Sequence, residues 1–342
     1  MHVLVTGHTG FKGAWLCLLL RQRGLDVSGI ALDPDAGSLF ERASVAGDLR
    51  ADMRLDIRQA NETIAAIQRI SPDVVIHLAA QPLVRKSYAD PRWTMETNVM
   101  GTLSILEGIS ETPSVGAALI VTTDKVYRNT GQSEGYVEED SLGGHDPYSA
   151  SKAMADILVS SWESSFPGAS VAIARAGNVI GGGDVSKDRL VPDLINSFES
   201  GRPAAIRNPD AVRPWQHVLD CLHGYLLLLD ALHRGEATGA WNFGPEPSSF
   251  RSVRELADQA AAAWGDGATW IADKGQHLPE EAVLTLDASR ARDQLGWSDA
   301  LDFPEAVGWT VDWAKRVYAG EPPREVTLSH IAAFETLVGE RS

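Results

Sequence analysis

The chain has 342 residues, 44% of them hydrophobic, and a formal net charge of −16 from 46 acidic and 30 basic residues. A chain of this length predicts two domains with sizeable cores. The acidic balance disfavours nucleic acid and anionic membrane as partners, while leaving local arginines able to collect the phosphates of a small ligand.

In chain order, Val3-Leu4-Val5 is a short apolar run that predicts a central parallel strand. Gly7, Gly10 and Gly13 follow it, three apart, and open a helix from Ala14 to Arg23 closed by Gly24. That order allows a tight turn and brings backbone amides close to a pyrophosphate at the helix N-terminus. The spacing G-x-x-G-x-x-G departs from the usual dinucleotide fingerprint. The second strand, Val27 to Leu32, ends at Asp33, whose carboxylate would accept hydrogen bonds from an adenosine ribose and repel a 2′-phosphate. This favours NAD over NADP.

Met53 to Ile57 predicts a third strand with Asp56 and Ile57 at its C-terminal end. Val74 to Leu78 predicts the fourth, followed by Ala79-Ala80-Gln81, where small residues let a flat ring approach the backbone. Trp93 to Ile109 reads as a long helix, in which Asn98 either satisfies a backbone carbonyl or serves packing. Ala117 to Thr123 is the fifth strand, which places Thr123 and Asp124 where open α/β sheets put their ligands. Tyr148 and Lys152 lie four apart at the start of a helix running to about Phe166, so they share a face. A neighbouring ammonium favours the phenolate and makes Tyr148 a base for a sugar hydroxyl. Successive β-helix-β steps predict an α/β fold with a doubly wound parallel Rossmann sheet.

Beyond a sixth strand at Val171 to Ala174, Gly181-Gly182-Gly183 reads as a domain boundary. Asp188 to Pro192 opens a helix, and Arg189, Arg207 and Arg213 together would gather a diphosphate. An apolar helix, Leu219 to Leu232, leads to a last strand at Trp241 to Gly244. Ser252 and Glu255 form a capping box for the next helix. The stretch Pro322 to Ser342 offers no reading. Cys17 and Cys221 sit in apolar surroundings and read as reduced core residues of a cytoplasmic protein. No Cys/His spacing predicts a metal site, and the apolar helices are too short to cross a bilayer.

Taken together, several stretches resemble the extended short-chain dehydrogenase/reductase family, and within it the CDP-glucose branch of the nucleotide-sugar 4,6-dehydratases. They include Gly7-His8-Thr9-Gly10-Phe11-Lys12-Gly13, His77-Leu78-Ala79-Ala80-Gln81, Thr122-Thr123-Asp124-Lys125, Tyr148-Ser149-Ala150-Ser151-Lys152 and Arg213-Pro214-Trp215-Gln216-His217. The likeness covers residues 1 to about 245.

The resemblance implies a homodimer with tightly held, internally recycled NAD, acting on CDP-glucose. The cofactor would contact Gly7, Thr9, Gly10, Phe11, Lys12, Gly13, Asp33, Asp56, Ile57, Leu78, Ala79, Ala80, Gln81, Asn98, Thr122, Tyr148 and Lys152. The substrate would contact Gln81, Asn178, Arg189, Leu190, Arg207, Arg213, Trp215 and Asn242. Tyr148 would take the 4-hydroxyl proton, Lys152 would hold the nicotinamide ribose, Thr123 would bond the 4-oxygen and Asp124 would protonate the leaving 6-hydroxyl. Lys125 stands where most relatives carry a glutamate base, so it acts either as base or as a cation for the enolate. Residues 1–180 and 214–245 would form the NAD-binding domain, and 181–213 and 246–342 the nucleotide-sugar-binding domain. Another nucleotide-sugar 4,6-dehydratase, a 4-epimerase on the same scaffold, or a cofactor-sensing protein that has lost the chemistry are the competing readings.

Overall fold

The computed structural model describes residues 1–132, 134–273, 275 and 284–341. The expected second-domain span 246–342 includes 274, 276–283 and 342, which lie outside the described residues. The first six strands are β1 (His2–Thr6), β2 (Asp26–Ala31), β3 (Ala51–Arg54), β4 (Val74–His77), β5 (Ala117–Val121) and β6 (Ser170–Ala176). Four short strands follow, β7 (Val179–Ile180), β8 (Ala204–Ile206), β9 (Val212–Pro214) and β10 (Gln216–His217), before β11 (Gly239–Phe243). The main sheet has the order β11-β6-β5-β4-β1-β2-β3, with every pair parallel. β12 (Phe250–Ser252) pairs with β9 and β13 (Trp270–Ala272) with β8, while β7 pairs with β10.

The strands β1, β4 and β5 are buried throughout because helices cover both faces. On one face α1 (Phe11–Gln22) and α9 (Val218–His233) bring Trp15, Leu19, Leu222 and Tyr225 against the sheet. On the other, α3 (Ala60–Ile70), α6 (Gly101–Ser110) and α7 (Pro147–Ser165) contribute Ile67, Ile105 and Val159. The sequence order reverses between β1 and β4, which opens the crevice at their carboxyl ends.

Several boundaries differ from expectation. β3 stops at Arg54, so Asp56 and Ile57 lie beyond it. The long helix starts at Pro91, capped by Asp90, and passes through a π-turn at Glu96–Met100 that contains Asn98. The helix after the glycine run, α8, spans Leu190–Glu199. The Ser252–Glu255 capping box is present on α10 (Val253–Trp264), and a second joins Asp302 and Glu305 on α12 (Phe303–Tyr318). The unread C-terminal stretch forms α13 (Pro323–Arg341), which buries Val326, Ile331 and Phe334. Trp313 donates its indole N–H to Thr327 at 2.9 Å, and Arg324 forks onto Asp48 at 2.7 and 2.9 Å, tying α13 to α12 and to the loop before β3.

Candidate active site

A cavity of about 850 Å³ follows the crevice over the ends of β1, β2, β4 and β5. Its floor is set by close backbone approaches. Gly7, at φ 73°, would place a Cβ 2.7 Å from the Ala79 amide nitrogen, and a Cβ at Gly13 would lie 2.2 Å from the Gly7 carbonyl oxygen. Gly10 caps α1 without a side-chain hydrogen bond, which leaves first-turn amides of the helix for an anion. This is the fit expected of a dinucleotide pyrophosphate. Thr9, Phe11, Lys12, Asp56, Ile57, Leu78, Ala79 and Ala80 also line the cavity. Arg58 grips Asp56 at 2.5 Å and holds its carboxyl below the usual range.

Three residues expected at the cofactor are not among those lining the cavity. Asp33 lies two residues past β2, with its side chain 89% exposed and 3.6 Å from Arg54, whereas Asp35 and Ser38 line the wall. Asn98 accepts from the Gln81 amide at 2.8 Å and donates to the Gln81 carbonyl and Ser151. The Gln81 side chain bonds Leu83 and Thr94. Both amides therefore brace the irregular chain after β4 and are not among the lining side chains.

The reactive groups converge at the end of β5. Thr123, Asp124, Lys125, Tyr148 and Lys152 all line the cavity. Thr123 caps a short turn at Asp124–Val126 and donates its hydroxyl to Asp124 at 2.8 Å. Asp146 and Pro147 start α7, so Tyr148 and Lys152 fall on its first two turns. Burial pushes the Tyr148 phenol up to about 12, opposed by the Thr123 hydroxyl and Arg189. The expected lowering by Lys152 is not found: its ammonium donates to the Val121 carbonyl at 2.9 Å, and burial outweighs the favourable partners. Lys152 itself is brought down to about 8, first by burial and then by the Lys12 ammonium. Its charge is thus lost as pH rises through about 8, and kcat/KM is expected to fall there. Lys12→Met should move that alkaline limb upward in a pH–rate profile.

At the far end, Asn178, Arg189, Arg207 and Arg213 line the cavity. Asp188 bridges Arg85 at 2.9 Å and Arg207 at 3.5 Å, while Asp184 pairs with Arg189 at 3.4 Å. Arg85 was not anticipated. Leu190 and Trp215 line a smaller adjoining cavity.

The model of the NAD dependent epimerase/dehydratase family matches residues 3–244. The chain belongs to this family. Among relatives of this epimerase/dehydratase chain, a CDP-glucose 4,6-dehydratase of Salmonella typhimurium is 43% identical over 330 residues, covering 93% of this chain and 92% of its own. A solved dTDP-glucose 4,6-dehydratase of Streptomyces venezuelae with NAD bound is 26% identical, with a TM-score of 0.80 over 95% of this chain and 100% of its own. A UDP-glucose-4-epimerase of Stenotrophomonas maltophila, 23% identical, superposes with a TM-score of 0.83 over 94% of this chain and 100% of its own, a likeness of fold alone.

Beneath the site of this epimerase/dehydratase lies a buried polar network. Asp156 accepts from Thr122 at 3.1 Å and from both ends of the Arg175 fork at 2.8 and 2.7 Å. Arg175 donates to Tyr127, which donates to Asn242, whose amide bonds the Tyr136 and Asp287 carbonyls. Asn242, expected at the substrate, is consumed in this tether, and the Thr122 hydroxyl faces it too. Asp156 was legible in principle, four residues after Lys152 on the same face of α7. The Asp156 and Arg175 side chains are 0% and 4% exposed. Asp156→Ala would strand a buried guanidinium and is expected to cost about 3–5 kcal/mol in denaturant unfolding.

Proposed function

We propose that this chain dehydrates CDP-D-glucose to CDP-4-dehydro-6-deoxy-D-glucose, a lyase reaction, with a tightly held NAD that ends each turnover unchanged. The observation that carries the reading is the row Thr123-Asp124-Lys125 sharing one cavity with Tyr148 and Lys152. A 4-epimerase needs the Tyr148 phenol but has no use for an acid at Asp124. The 43% identity to a CDP-glucose 4,6-dehydratase supports the choice of nucleotide.

Bound NAD would supply a hydride acceptor that is restored by the end of each turnover, and its cationic ring would favour the Tyr148 phenolate. Tyr148 takes the proton of the 4-hydroxyl, Thr123 bonds the 4-oxygen, and Lys152 holds the cofactor ribose. A ketone at C4 makes the C5 proton acidic. Asp124 then delivers a proton to the departing 6-hydroxyl, and Lys125 either takes the C5 proton or neutralises the enolate. The arginines at 189, 207 and 213 hold the diphosphate. The division into an NAD-binding part (1–180 and 214–245) and a sugar-nucleotide part (181–213 and 246–342) belongs to the same proposal.

A homodimer is also proposed. Met100, Met154 and Ile157 are 52%, 44% and 56% exposed on neighbouring helices, an apolar face that a second copy would cover. Light scattering at micromolar concentration should give the dimer mass, and a monomer would refute it. Among the described residues no helix is long and apolar enough to cross a membrane, and both cysteines are buried and unpaired. We place the enzyme in the cytoplasm on its thiols and its acidic composition.

The function is tested by incubating the protein with CDP-, UDP- and dTDP-glucose and reading the alkaline absorbance of a 4-keto sugar. CDP-glucose should give the signal first. A signal only from another nucleotide would move the assignment to a different dehydratase.

A further inference from the structure

The smaller cavity, of about 120 Å³, lies between the first turns of α8 and strand β8. Its walls combine the apolar side chains of Leu190, Leu194, Ile206 and Trp215 with the charged ones of Asp188, Asp193, Arg207 and Arg213. It shares Asp188, Arg207 and Arg213 with the main cavity, so these residues form a neck between the two. A diphosphate held at that neck would direct the hexose into the main cavity and turn the base toward the slot.

Two carboxylates reach the slot. That of Asp188 is already held by Arg85 and Arg207. The Asp193 carboxylate, one helical turn after Arg189, has no hydrogen-bond or ion-pair partner among the described residues. Burial pushes its carboxyl above the usual range, with Arg207 opposing. Asp193 is half-buried at the wall of the slot, where its carboxylate can meet a donor on a ligand.

We infer that Asp193 reads the nucleotide base, accepting a hydrogen bond from the exocyclic amine of cytosine. This rests on the CDP-glucose reading above and adds the residue that enforces it. Cytosine carries an amine donor at C4, where uracil and thymine carry a carbonyl oxygen. A carboxylate therefore attracts the first and repels the other two, which supplies discrimination through both partners.

Calorimetric titration with CDP and UDP tests this without requiring turnover. The wild type should bind CDP more tightly than UDP by on the order of 10–100-fold. Asp193→Leu should bring that ratio close to one, and Asp193→Asn, whose amide can donate to a carbonyl, should gain UDP affinity. With CDP-glucose as substrate, the loss should fall on KM more than on kcat. An Asp193→Leu variant that keeps the wild-type CDP:UDP ratio overturns the assignment. A wild type that prefers CDP yet never dehydrates CDP-glucose would instead defeat the reaction proposed above and leave the base-reading role standing.

Discussion

Tyr148→Phe is expected to lower turnover of CDP-glucose by on the order of 10³-fold. The phenol lies in the same cavity as Thr123 and Lys152 and is the group assigned to the 4-hydroxyl proton. It is only 9% exposed, and burial holds it at about 12, so the fold gains nothing from its charge. Phenylalanine keeps the ring volume at this buried position, and Asp146 and Pro147 still start the helix. The unfolding midpoint should therefore change little while the first oxidation is lost. Stopped-flow absorbance should show no reduced cofactor on mixing with CDP-glucose. Activity near that of the wild type would remove Tyr148 from the role.

Asp124→Asn should fail at a later point. The substitution keeps size and can still accept from Thr123, but it cannot give a proton to the leaving 6-hydroxyl. General acid catalysis contributes about 10²–10⁴-fold, and overall turnover should fall by that order. Oxidation at C4 should survive, so reduced cofactor should accumulate with the undehydrated sugar, as followed by absorbance and rapid-quench mass spectrometry. Turnover near the wild-type level would exclude Asp124 as the acid and leave Lys125 as the candidate. A block before oxidation would make Asp124 a substrate-positioning group. Gly177 bears on the outcome as well: a Cβ there would lie 3.0 Å from Asp124 Oδ2, so the lack of a side chain at 177 leaves that oxygen room.

The fold was readable because its central strands β1, β4 and β5 are buried on both faces and carry apolar residues without alternation. Thr123, Asp124, Tyr148 and Lys152 were readable for a related reason. Each sits at a strand end or in a first helical turn, where period and direction are set by regular structure. The surroundings of Asp33, Gln81 and Asn242 were not, whereas Asn98 satisfies a backbone carbonyl, one of the two readings its place in the helix offered. Asp33 lies past the end of β2, where the pleat no longer fixes which way a side chain points. Gln81 follows β4 in irregular chain, whose unpaired backbone groups claim the Asn98 amide. Asn242 is on a regular strand, but its partners at 127, 136 and 287 are remote in sequence. Helix α13 escaped because its apolar residues do not fall on one stripe.

The central claim is that this cavity removes water from a 4-keto sugar, and isotopic analysis of the product tests it most directly. CDP-glucose incubated with the enzyme in deuterium oxide should give a product lighter by one water, with one deuteron at C5 and the former C4 hydrogen at C6. A product of unchanged composition, inverted at C4 and free of deuterium at C5, would contradict the account and make the protein a 4-epimerase.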